Sequence, residues 1–102
     1  MKTEFLGKTL SGPFTVPSGV VTTATSIIQY VFDHMPQVGV LTTKSVGPDV
    51  RAGNREPVYS QYAPGCFVNA VGLTNPGAQA AAQAMAKLRI PEDRFLLVSI
   101  FG

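Results

Sequence analysis

Apolar and polar positions change period several times along this chain. Val38, Val40 and Leu41 form a nearly continuous apolar run that stops at Thr42-Thr43-Lys44-Ser45. That is the pattern of a strand covered on both faces, so a buried parallel strand is expected over Val38–Thr42. Ahead of it, Ile27, Ile28, Val31, Phe32 and Met35 recur at helical spacing. Thr23 or Thr25 is placed to cap that helix, and Pro36 to stop it. Residues 3–6 and 9–11 flank Gly7-Lys8, a type II′ hairpin signal. Residues 13–17 are a short apolar strand edged by prolines, leaving through Ser18-Gly19. Residues 46–66 make a long connection punctuated by Gly and Pro. A loop of this length in a compact domain is usually functional or disordered. Residues 58–60 and 66–68 within it could pair as a small hairpin. Asn75-Pro76 then opens a second helix, with Asn as N-cap and Pro at N1, running through Ala80, Ala81, Ala82, Ala84, Met85 and Leu88. Residues 95–100 are a third apolar strand.

The order is therefore hairpin, β, α, β, long loop, α, β. Strands alternating with helices imply parallel βα units. Three strands leave both edges of a sheet open. The expected fold is α/β: the N-terminal part of a (β/α)8 barrel, preceded by a β-hairpin and filling residues 1–102 as an incomplete domain.

Composition sharpens this picture. The chain has 102 residues, 45% hydrophobic and 14% charged. A soluble domain usually has about a quarter of its residues charged, so these residues look like the inside of something larger. A net charge of +2, with Lys and Arg scattered, does not point to nucleic acid. One cysteine cannot form an internal disulfide, and a reducing compartment is the default. No apolar signal core opens the chain, and no apolar run approaches the roughly 20 residues of a membrane span. A cytoplasmic protein is expected. No Walker sequence, Gly-x-Gly-x-x-Gly or paired cysteines support a dinucleotide-binding or zinc reading.

Candidate chemistry gathers at two places. A lysine at the mouth of a buried strand must carry its charge to water, a carboxylate or a ligand, which singles out Lys44. Asn69-Ala70-Val71-Gly72-Leu73 offers an amide and then a glycine that lets backbone approach something closely. Both pieces are expected to face one polar, planar ligand from the carboxyl edge of the sheet, where Ser18-Gly19, residues 43–45 and residues 99–102 also lie. Taken singly, Asn69 reads as a turn residue and Ser18-Gly19 as a turn. Tyr59 and Tyr62 read as loop packing, Cys66 as a packed small apolar residue, and His34 as a partner of a helix C-terminus.

Pro17-Ser18-Gly19, Thr43-Lys44-Ser45, Arg51-Ala52-Gly53-Asn54, Asn69-Ala70-Val71-Gly72-Leu73-Thr74-Asn75-Pro76-Gly77 and Ser99-Ile100-Phe101-Gly102 resemble, in order, motifs of the dihydroorotate dehydrogenases. With the chain opening directly at the hairpin, the resemblance is to the soluble class 1 enzymes. It implies FMN-dependent oxidation of dihydroorotate to orotate in pyrimidine synthesis. Ser18, Gly19, Lys44 and Ser45 would contact FMN. Lys44, Asn69 and the backbone of Val71, Gly72 and Leu73 would hold the substrate. The proton-abstracting cysteine, further asparagines, a second lysine and the flavin phosphate site would come from later strands. This chain alone is then expected neither to bind FMN firmly nor to turn over, and to need the remainder of the barrel, on the same or a separate chain. A complete barrel is expected to be a homo-oligomer. The electron acceptor, fumarate or NAD through a partner subunit, stays open.

Three positions depart from the family pattern. Pro17 stands where alanine is usual, Ala52 where an acidic residue is, and Val58 where arginine is common. They leave room for a related flavin oxidoreductase acting on another dihydropyrimidine. A non-catalytic assembly module that kept the barrel's opening is the alternative from another class.

Overall fold

A computed structural model describes residues 3–20, 22 and 24–102. Its centre is a three-stranded parallel sheet in the order β3 (Phe14–Val16), β4 (Val38–Thr42) and β7 (Phe95–Leu97). Val40, Leu41 and Thr42 pair with Phe95, Leu96 and Leu97 on one side. Phe14, Thr15 and Val16 pair with Val38, Val40 and Leu41 on the other, with a register shift after Phe14. Because all three strands run the same way, their carboxyl ends share one edge. The apolar run that suggested a buried strand is β4, and Leu41 is fully buried.

Helix α1 (Thr25–His34) connects β3 to β4. Its Ile28, Val31 and Phe32 are spaced to lie on one stripe, and with Leu41 they form the core cluster. Val16, Val38, Leu88 and Leu96 pack against its margin. Full burial of each such side chain contributes about 1.5–3 kcal/mol. The N-cap is Ala24, which makes no side-chain cap hydrogen bond; Thr25 is the first helical residue and not the cap, and Thr23 lies outside the described residues. Pro36 follows the C-cap Met35, as the pattern indicated.

A hairpin of β1 (Thr3–Phe5) and β2 (Lys8–Leu10) precedes the sheet. Its two-residue turn is Leu6-Gly7, not Gly7-Lys8. Both residues have positive φ, 50° and 76°, the signature of a type I′ turn. A leucine there escapes propensity rules, which is why the turn reads one residue late in the sequence.

Between β4 and α2 lies the long connection with its own hairpin, β5 (Tyr59–Ala63) and β6 (Cys66–Asn69). Cys66 opens β6 in an exposed position, so it is not a packed apolar residue. Tyr59 and Tyr62 are exposed as well, rather than packed in the loop. Helix α2 (Ala78–Met85) is shorter than the alanine-rich pattern suggested. Gly77, at φ 87°, is its N-cap, while Asn75 stands two residues earlier. There Asn75 Oδ1 accepts from the backbone N–H of Gly77 at 2.9 Å and of Gly47 at 3.1 Å. The asparagine thus joins the two ends of the long connection instead of capping the helix. Strand β7 stops at Leu97, short of residue 100, although Ile100 still makes a parallel bridge to Val46.

Candidate functional site

The carboxyl edge of the sheet opens onto a cleft of about 420 Å³ lined by Ser18, Gly19, Val20, Lys44, Tyr59, Asn69, Val71, Gly72 and Leu73. Three parts of the chain meet there. Ser18-Gly19 leaves β3, Lys44 leaves β4, and Asn69 ends β6. Tyr59 is the register partner of Asn69 across the β5–β6 ladder, so the hairpin presents both residues together. The sequence had Tyr59 as loop packing and did not single out Val20, yet both line the cleft. The signal for Tyr59 was its pairing with Asn69, which only the hairpin register reveals. Ser45 does not line the cleft. Its hydroxyl stands behind the rim, 3.5 Å from Ser18 Oγ and 2.7 Å from Ser99 Oγ.

The wall made by residues 69–73 is held from behind, one carbonyl after another. Asn54 Nδ2 donates to Ala70 O at 2.7 Å, and the Asn54 N–H to Val71 O at 2.9 Å. Arg51 Nε donates to Gly72 O, and Asn75 Nδ2 to Leu73 O at 2.8 Å. Each carbonyl from Ala70 to Leu73 is therefore tied to the protein. Among the described residues the N–H groups of Val71, Gly72 and Leu73 have no partner. A strip of backbone donors with its acceptors turned away suits an anion or an electron-rich oxygen. Gly72 and Leu73 both have positive φ, 89° and 55°. A non-glycine residue held in that region costs about 1–3 kcal/mol and persists only where surroundings enforce it.

The enforcing element is the loop of Arg51, Ala52, Gly53 and Asn54. Its backbone pairs with Asn75 in both directions at 3.0 Å, and Thr74 Oγ1 donates to Ala52 O at 3.2 Å. Ala52 takes part through its carbonyl, a role any residue at that position could fill. Gly53 sits so close to Thr74 and Val71 that a Cβ there would collide with Thr74 Oγ1 and Val71 O. The Arg51–Asn54 motif is a brace for the neighbouring wall.

Lys44 is half-buried, and among the described residues its ammonium has neither a hydrogen bond nor an ion pair. It also borders a second cavity, about 320 Å³, between α1 and α2. Ile28, Val46, Ala81, Ala84 and Met85 give that space an apolar wall beside Thr22, Thr25, Ser26 and Thr43, and neither Asn69 nor Ser18 nor Ser45 lines it. The polar groups converge in the first cleft. Among the described residues no cluster of His, Cys, Asp or Glu could hold a metal ion, and no helix is long and apolar enough to cross a membrane.

The family model described as dihydroorotate dehydrogenase matches residues 1–100. The chain belongs to the dihydroorotate dehydrogenase family. It is 33% identical over 102 residues to the catalytic subunit of dihydroorotate dehydrogenase B (NAD(+)) of Pyrococcus furiosus, covering all of this chain and 32% of that one. Identity to the subunit of the same name from Pyrococcus abyssi is 30% over 102 residues. To that from Methanocaldococcus jannaschii it is 29% over 105 residues, which cover 33% of that protein. The chain spans about a third of the length of these curated relatives.

Proposed function

We propose that this chain is the opening part of an FMN-dependent dihydroorotate dehydrogenase, a (β/α)8 barrel in which later strands complete the site begun by residues 18–73. The observation that carries the reading is a single cleft lined by Lys44, a cation without a partner among the described residues, together with the amide of Asn69 and residues 71–73, whose backbone N–H groups are also without a partner among the described residues. Exposed apolar side chains at the sheet margins, Phe14 on one edge strand and Ile100 beyond the other, support further strands on this sheet.

The residues present fit one part of a flavin site. The φ of Gly19 is 84°, and a Cβ built on it would meet nothing within 4 Å, so the rim beside Ser18 is open to a flat ring. Ser18 supplies a hydroxyl there, with the Ser45 hydroxyl 3.5 Å behind it, and Lys44 supplies a charge. FMN, when bound, supplies the two-electron acceptor that oxidation of a dihydropyrimidine needs. Lys44 stabilises negative charge arriving on its neighbour, since a fixed cation in a partly dry site acts where charge develops. It also offsets the anionic charge of the substrate. Asn69 can donate to and accept from the pyrimidine edge, and the N–H groups of Val71, Gly72 and Leu73 receive the carboxylate. The group that takes the substrate proton comes from later strands. The relatives' names, which specify NAD(+) and a catalytic subunit, support NAD(+) as the final acceptor and a further subunit as partner. A cytoplasmic site of pyrimidine synthesis and a homo-oligomeric barrel belong to the same reading.

The test uses the complete protein that carries this chain. Added FMN should bind and give a visible flavin spectrum, and dihydroorotate should bleach it without oxygen. Protein that takes up no FMN, or loaded protein that dihydroorotate leaves coloured, overturns the proposal.

A further inference from the structure

Ser99 lies beyond the end of β7, outside the cleft lining, yet it grips the lysine segment at three points. Its backbone N–H donates to Thr43 Oγ1 at 3.1 Å. Its carbonyl accepts from the Val46 N–H at 2.9 Å. Its hydroxyl is 2.7 Å from Ser45 Oγ. Thr43 and Ser45 flank Lys44, and Thr43 is 4% exposed, so these contacts act on both sides of the lysine from a buried footing. The Ser45 hydroxyl in turn stands 3.5 Å from Ser18 Oγ at the rim. The three serines follow the three parallel strands in turn and form a row across the carboxyl edge of the sheet.

The two spacings in this row differ, and the difference has a consequence. At 2.7 Å the Ser99–Ser45 pair is a full hydrogen bond, whereas 3.5 Å between Ser45 and Ser18 is at the limit of one. If Ser99 donates to Ser45, the Ser45 proton is free to turn toward Ser18 or a group in the cleft. Without Ser99, the Ser45 hydroxyl can rotate, and its best acceptor is whatever remains nearby.

We infer that Ser99 is a positioning residue for the flavin site: its hydroxyl fixes the orientation of Ser45, and through Ser45 the rim that would meet the cofactor. The inference rests on the flavin reading above and adds to it a residue that does not itself reach the cleft.

The experiment is FMN binding to the complete protein, followed by fluorescence quenching, for the unsubstituted protein, Ser99→Ala, Ser99→Thr, Ser45→Ala and the double variant Ser45→Ala/Ser99→Ala. One hydrogen bond of ordinary strength corresponds to about a 3-fold to 10-fold change in Kd. Ser99→Ala should weaken FMN by about that factor, and Ser99→Thr, which keeps the hydroxyl, should restore most of it. Because Ser99 acts through Ser45, the double variant should bind no more weakly than Ser45→Ala alone. Ser99→Ala that binds FMN as the unsubstituted protein does, or losses that add in the double variant, overturns the inference and leaves the flavin reading standing. An unsubstituted protein that takes up no FMN overturns both.

Discussion

The two ends of the parallel sheet use basic residues in opposite ways. At the amino end, Lys8 Nζ donates to Arg94 O at 2.9 Å and lies 4.7 Å from the centre of the Phe95 ring. Arg94, 6% exposed, donates from Nη1 to Val38 O at 3.3 Å, faces Phe32 at 5.9 Å and has Asp93 3.7 Å from its Nε. Phe5 of the hairpin meets Phe95 edge-on at 5.5 Å. These cations are absorbed by carbonyls and rings, and they seal the hairpin against the sheet. At the carboxyl end, Lys44 is half-buried with no such partner among the described residues. Removing a charge from water without pairing it is costly. A site that tolerates this is arranged for something else to complete it. On the proposed reading stability is built at one end and chemistry at the other, the division expected of a barrel whose site lies at its strand ends.

Substitutions can break or sharpen this contrast. The largest effect is expected from Lys44→Ala in the complete protein. Removing a cation that acts on developing charge should lower turnover of dihydroorotate by about 10²–10³-fold. The melting temperature should stay nearly constant, because no partner among the described residues is lost. Gly53→Ala comes next. Its Cβ would collide with Thr74 and Val71 at a φ of 81°, so the brace must shift. A loss of about 1–3 kcal/mol in thermal unfolding is expected, together with weaker orotate binding as residues 71–73 loosen. At the amino end, Arg94→Met should cost about 1–3 kcal/mol by leaving Val38 O without its donor, with activity per folded molecule unchanged. Lys8→Met should do the same at about 1 kcal/mol, the scale of one hydrogen bond. An Arg94 variant that folds normally but loses turnover would erase the contrast.

The sheet and α1 were legible because their residues obey one rule each. A continuous apolar run marked β4, and Ile28, Val31 and Phe32 marked the buried stripe of α1. What escaped the sequence involved residues used against their averages. Leu6 accepts a left-handed turn that glycine or asparagine would normally hold. Asn75 bridges Gly47 and Gly77 across a distance in sequence that no local capping rule covers. Residues 95–100 read as one strand, but pairing stops at Leu97, where the Thr43 hydroxyl takes over as the acceptor for Ser99 N–H. In the cleft, Ser18, Gly19, Lys44, Asn69 and residues 71–73 were named beforehand through their motifs. Tyr59 was read only as loop packing, because its place in the cleft depends on a hairpin register; Ser99 was quoted in its motif, but its grip on Ser45, 54 positions away in sequence, was not foreseen. The Arg51–Asn54 motif was visible, but its work as a brace was not, since that depends on which carbonyls it reaches.

The most direct measurement is the rate at which dihydroorotate bleaches the flavin of the complete protein under anaerobic conditions, for the unsubstituted protein and Lys44→Ala, with the melting temperature of each recorded beside it. Bleaching slowed by about 100-fold or more at an unchanged melting temperature is the predicted result. Equal rates in the two proteins, or a slower rate that simply tracks a collapse in stability, would contradict a lysine held for the ligand.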